Sequence, residues 1–181
     1  MAIFYFSFSE PAKQTFKNLL LSLIAQLARL QLEQGRSLPA TLSRTYDKFQ
    51  PSSATVPVLE ECFLSLVEQF TETFIILDAV DECPNAVDRN ERKDILTWLE
   101  SITATSLRCP QLFLTSRKEE DVGAVITRLT STTVAIEAKL TDTDIQRYVL
   151  NELANSDKLR SLPEATKTEI SERIGRRGDG M

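Results

Sequence analysis

Residues 74–83 read FIILDAVDEC: four large apolar residues run into Asp78, and Ala79 and Val80 lead on to Asp81, Glu82 and Cys83. Three carboxylates within five residues repel one another unless a cation or wide solvation offsets them. Two chemistries fit that spacing. The acids can hold a hard cation such as Mg²⁺, which keeps several waters and takes few carboxylates, with a further acid orienting or deprotonating an attacking water. Alternatively they cap a turn, where Asp is common for local hydrogen-bonding reasons. A second stretch, LFLTSR at 112–117, ends in Arg117. A guanidinium there suits a terminal phosphate through charge-assisted hydrogen bonds, while Thr115 and Ser116 suit the cap of a following helix.

The chain contains no histidine. Ser-His-Asp and Cys-His catalysis are therefore excluded from within these residues, as are most zinc sites. Cys62, Cys83 and Cys109 stand far apart without a CxxC spacing. That usage fits reduced thiols and a cytoplasmic setting better than a disulfide framework. Cys83 reads as a packing residue.

The elements that must position the acids follow from hydrophobic periodicity. Residues 3–8 are almost continuously apolar and read as a buried strand. Ser9 and Pro11 read as the start of a helix that carries Phe16, Leu20, Leu23, Leu27 and Leu30 on one face and stops at Gly35. A shorter helix is predicted over 39–49, a linker over QPSSATVP and an amphipathic helix over 58–70. The strand 74–78 follows, then the polar loop CPNAVDRNERK and a helix over 94–102 with Ile95, Trp98, Leu99 and Ile102 inward. Pro110 introduces a strand over 111–115, and Ser116 with Glu119 has capping-box spacing for a helix to about residue 129. A fourth strand is predicted at TTVAIEA (132–138), with a helical end over 141–175 and a turn-like GRRGDGM. Alternating strands and helices indicate an α/β fold, a parallel sheet covered on both faces with right-handed crossovers, in one domain over 1–181.

Composition agrees with a globular domain. The 181 residues are 42% hydrophobic and 26% charged, with a net charge of −5. The mild acidity argues against nucleic-acid partners and anionic membranes. No stretch reaches the ~20 apolar residues of a bilayer span, so the expectation is a soluble protein.

In parallel α/β sheets ligands collect at the carboxyl ends of the strands, where Asp78 stands. An apolar strand ending in a carboxylate has the form of a Walker B segment. The stretches FYFSFSEPAKQTFKNLLLSLIAQL, FIILDAVDECP, LTWLESI, LFLTSRKEEDV and the terminal DGM resemble the NACHT / nephrocystin 3-like N-terminal domains of fungal STAND P-loop NTPases. The resemblance covers nearly the whole chain in order. It implies a three-layer α/β/α P-loop-type sheet, with Mg²⁺ and ATP or GTP as cofactors of the parent family. It also implies Asp78 as the Mg²⁺ carboxylate, Glu82 with Asp81 beside it as the water-positioning acids, and Arg117 as the sensor of the terminal phosphate.

One departure is large. Such domains carry a GxxxxGK[ST] loop whose backbone N–H groups and lysine hold the phosphates. Here Gly35, Gly123, Gly175, Gly178 and Gly180 lie in no such pattern. By the resemblance, the first, central strand belongs between 111–115 and 132–138, and it is missing together with the phosphate loop. The expectation is therefore a fragment of a signalling ATPase that neither binds nor hydrolyses nucleotide alone, with the cofactor question left open for this chain. The competing expectation is a non-catalytic interaction module that associates with full-length relatives or with itself. A third is an unrelated doubly wound protein with acids at its strand ends.

Overall fold

A computed structural model describes residues 1–48, 53–86, 90–105, 109–129, 132–135 and 138–177. The chain divides into two compact units, 1–131 and 132–181. In the first, β1 (Ala2–Tyr5) is followed by a 3-10 turn at Pro11–Lys13 and three helices, α1 (Phe16–Glu33), α2 (Ala40–Lys48) and α3 (Val56–Val67). Then come β2 (Phe74–Asp78), a second 3-10 turn at Val80–Glu82, α4 (Glu91–Thr105), β3 (Gln111–Leu114) and α5 (Glu120–Arg128). The second unit contributes α6 (Ala138–Asn155) and α7 (Glu164–Arg177), which pack on each other.

The three strands form one parallel sheet in the order β1-β2-β3. The register sets Tyr5 opposite Asp78 and Leu77 opposite Leu114. The fold is thus α/β with a small parallel sheet, compatible with a P-loop-like α/β/α architecture lacking a first strand. β1 is shorter than the run 3–8 suggests, although Phe6 still donates its N–H to the Asp78 carbonyl at 3.0 Å. The chain then turns at Ser7–Glu10, where Glu10 N–H reaches the Ser7 carbonyl.

The strand expected over 132–138 does not form over 132–135, and residues 136–137 lie outside the described residues. A strand exists by its ladder hydrogen bonds, and Val134 instead stands 84% exposed with no ladder partner. Parts of the expected linker (50–52), of the polar loop (87–89) and of the terminal turn (178–181) also lie outside the described residues.

Period-two alternation sends Ala2, Phe4, Ile75 and Leu77 to one face of the sheet, all buried. α1 covers that face with Phe16, Leu19, Leu20, Leu23, Ile24 and Leu27, while Leu30 is only half-buried. The helix starts at Thr15, whose hydroxyl accepts from Asn18 N–H, so the expected cap at Ser9 does not form: Pro11 opens a separate 3-10 turn after Glu10, and Ser9 Oγ pairs with Ser7 Oγ at 3.0 Å. Gly35 closes the helix at φ +69°, a conformation that glycine adopts at no steric cost. Trp98 of α4 fills the space between α1 and α3, 5.5 Å from the Phe16 ring and 5.1 Å from Phe63. Each such side chain contributes about 1.5–3 kcal/mol by burial. The four residues predicted inward on α4 are all buried.

The outer edge of β1 and the second face of the sheet differ from this core. Gln26 of α1 accepts the Ile3 N–H at 2.9 Å and donates to the Ile3 carbonyl at 2.7 Å. Its amide thus stands in for a neighbouring strand and seals the outer edge of β1. On the sheet's other face, Tyr5, Phe74 and Phe113 are 56%, 43% and 61% exposed.

Candidate functional site

The carboxyl ends of β2 and β3 lie side by side, and the residues just beyond them cross-link. Leu77 is buried in the core and delivers Asp78 to the strand end. Ala79 then takes a left-handed conformation, φ 56° and ψ 51°, which costs an L-residue about 1–2 kcal/mol. That reversal starts the 3-10 turn and buries Val80 completely. The turn is docked on β3's end: Val80 N–H donates to the Thr115 carbonyl and Thr115 N–H to the Leu77 carbonyl, both at 3.0 Å.

Each acid of the cluster has its own partner. Asp78 Oδ1 accepts from Thr115 Oγ1 at 2.5 Å, and the same hydroxyl accepts the Ala79 N–H at 2.8 Å. Asp81 Oδ1 accepts the backbone N–H of Arg117 at 3.0 Å, and Arg117 Nε lies 3.4 Å from Asp81 Oδ2. The Asp81 side chain is 8% exposed, whereas that of Arg117 is 62% exposed. Glu82 Oε2 accepts the N–H of Phe8, in the loop that leaves β1, at 3.0 Å. Gln14 supports that loop by donating to the carbonyls of Ser7 and Phe8.

The carboxylates therefore satisfy three different donors rather than converging. Among the described residues no group of three or more His, Cys, Asp or Glu side chains could hold a metal ion. A Mg²⁺ ion that takes one carboxylate, waters and phosphate oxygens does not need such a group. Asp78 suits that arrangement, because Thr115 occupies only one of its oxygens.

A cleft of about 570 Å³ opens at this end of the sheet, lined among others by Phe8, Gln14, Asp81, Glu82, Arg92 and Arg117. Asp81, Glu82 and Arg117 share it, whereas Asp78, bonded to Thr115, is not among its lining residues. The capping box expected of Ser116 and Glu119 does not form. Ser116 Oγ bonds the Arg117 carbonyl, and α5 begins after Glu119 without a side-chain cap. Thr115 serves Asp78 instead of a helix.

Sequence reading missed Arg92. It is the second residue of α4 and 8% exposed. It stands in the polar stretch NERK, where arginine reads as solvated because arginine is seldom buried unless paired. The only available signal was its place two residues before Asp94 and three before the first inward residue, Ile95.

A family model described as Nephrocystin 3, N-terminal matches residues 1–117. No curated protein and no solved structure matches the chain. The matched segment contains β1, β2 and β3, the Asp78–Thr115 bridge and the Asp81–Arg117 pair. With 117 of its 181 residues matched, the chain belongs to the nephrocystin 3 N-terminal family.

Proposed function

We propose that this chain forms the metal- and water-facing part of a STAND/NACHT-type signalling NTPase core, of the kind common in fungi. The observation that carries the reading is the locking of two parallel strand ends by Asp78–Thr115 and Asp81–Arg117. Nucleotide sites of open α/β sheets are built at such strand ends. Bound Mg²⁺ would bridge nucleotide oxygens and neutralise the charge that develops on the transferred phosphoryl group. Asp78 would offer its second oxygen toward that ion. Asp81 and Glu82 are the acids placed to orient a water, and Arg117 is the exposed cation for a terminal phosphate, once it exchanges Asp81 for the ligand.

Residues 1–181 hold no GxxxxGK[ST] pattern to cradle ATP or GTP phosphates, so this part neither binds nor turns over nucleotide by itself. The positive half of the reading is tested in a family member that carries a phosphate loop. Alanine at the residue matching Asp78 is expected to abolish magnesium-dependent turnover, and unchanged turnover would remove Asp78 from the site.

A second reading rests on the open sheet face. Exposed Tyr5, Phe74 and Phe113 on one side of a parallel sheet favour a non-catalytic cytoplasmic module that associates with full-length relatives or with itself. Its test is sedimentation of the purified chain alone and with a full-length relative. A monomer that captures neither would end this reading. Neither reading calls for nucleic-acid or membrane partners, and no helix of the described residues is long and apolar enough to cross a membrane.

A further inference from the structure

The acidic turn is held from inside by a cation on another element. Arg92 donates Nε–H to the Cys83 carbonyl at 3.1 Å and Nη2–H to the Asp81 carbonyl at 2.5 Å. Its Nη1 lies 3.4 Å from each oxygen of Asp121, in the first turn of α5, and 3.6 Å from Glu119. Asn85 donates to Asp121 Oδ2 at 2.9 Å, a second donor to that carboxylate. The Arg92 backbone adds an N–H to the Pro84 carbonyl at 3.1 Å. One residue earlier, Glu91 Oε2 accepts the Phe16 N–H at 2.8 Å, so the first turn of α4 anchors both the acidic turn and the start of α1.

We propose that Arg92 is the positioning residue of the strand-end site: its buried guanidinium holds the Asp81 and Cys83 carbonyls and so aims the Asp81 and Glu82 carboxylates into the cleft. Four features carry this. Arg92 reaches the main chain of the turn rather than its carboxylates, which leaves both acids for other partners. The planar guanidinium serves three directions at once: two carbonyls and the Asp121 carboxylate. A lysine is a point donor on a flexible stem and cannot reproduce that fork. Finally, the turn it holds contains the strained Ala79, a conformation that persists only where its surroundings over-determine it. The site would then contain two arginines with separate tasks, Arg92 shaping the turn from beneath and Arg117 standing exposed in the cleft. The functional consequence rests on the nucleotide-site reading above, while the positioning itself does not.

Cys83 reports on the turn directly. Its thiol is buried and donates to the Gln14 carbonyl at 3.5 Å, and its own carbonyl is one of the two that Arg92 holds. The experiment is alkylation of the native full chain with N-ethylmaleimide, each cysteine followed by peptide mass spectrometry. Cys62, buried in α3, serves as the internal reference for global opening. Arg92→Ala is expected to speed Cys83 labelling by about tenfold or more through local opening, with Cys62 labelling little changed. Arg92→Lys should fall between Ala and wild type, Asp121→Asn should raise Cys83 labelling more modestly, and added guanidinium ion should slow Arg92→Ala again. Cys83 and Cys62 accelerating together, or Cys83 staying at the wild-type rate in all three variants, would overturn the proposal. Failure of the nucleotide reading leaves these rates untouched, so the two can fail separately.

Discussion

Thr115 Oγ1 joins two parallel strand ends by donating to Asp78 Oδ1 at 2.5 Å while accepting the Ala79 N–H at 2.8 Å. One hydroxyl thus orients the strand-end carboxylate and satisfies a backbone donor in a left-handed turn. Thr115→Val keeps the shape but removes both bonds, and it is expected to cost about 1–3 kcal/mol by leaving partly buried groups unsatisfied. Thr115→Ser, which keeps the hydroxyl, should recover most of that. Urea unfolding of the two variants checks the order, and equal losses would show that packing rather than the bridge is at work.

Asp81 and Arg117 contribute unequally although they form one pair. Asp81 is nearly buried and accepts a backbone N–H, whereas most of the Arg117 side chain is in solvent. Arg117→Ala is expected to cost less than about 1 kcal/mol, since an exposed ion pair adds little and the backbone hydrogen bond survives. Asp81→Ala strands that N–H and should cost about 1–3 kcal/mol. Denaturation midpoints in low and high salt discriminate: only the small Arg117 effect should fade with salt.

Ala79 is the one non-glycine residue at positive φ among the described residues. Ala79→Gly relieves the Cβ clash and gives back part of the gain as backbone entropy, for a net stabilisation of about 0.5–1 kcal/mol. Ala79→Val should destabilise, because a β-branched side chain tolerates that conformation least. The check is a shift in denaturation midpoint at unchanged slope.

Glu60 on α3 has its carboxyl raised above its ordinary value of 4.5, and burial is the cause. The folded state therefore holds this proton more tightly than the unfolded chain. Stability from this group is greatest below the ordinary value and falls as pH rises through the raised one. Glu60→Gln should accordingly be more stable than the parent at neutral pH, and the difference should vanish below about pH 4, where both states are protonated. Midpoints measured across that range test the sign.

Much of this was legible in the sequence, and each exception has a physical cause. The strand 74–78, the helix around Trp98 and the strand beginning at Gln111 follow from apolar periodicity that tertiary contacts reinforce. Asp78, Asp81, Glu82 and Arg117 were visible as a strand-end constellation because their types and spacing are local. Their pairing was not visible, since Thr115 and Phe8 meet them across 37 and 74 residues. Arg92 was hidden for a different reason: burial of a charged residue depends on partners that no local pattern announces. The strand expected over 132–138 does not form over its described residues 132–135, where local β-propensity has no ladder neighbour to act on.

The most direct test of the central claim, that residues 1–181 carry the metal-and-water side of a nucleotide site without its phosphate side, is a thermal-shift titration of the purified chain. Mg·ATP and Mg·ADP are added to the wild type and to Asp78→Ala. A ligand at about a hundred times its Kd adds ~2.7 kcal/mol of stability, which is readily seen. The account predicts no saturable shift in either protein at millimolar nucleotide. A saturable, magnesium-dependent shift in the wild type that disappears in Asp78→Ala would contradict it, and would show that these strand ends bind nucleotide without a phosphate loop.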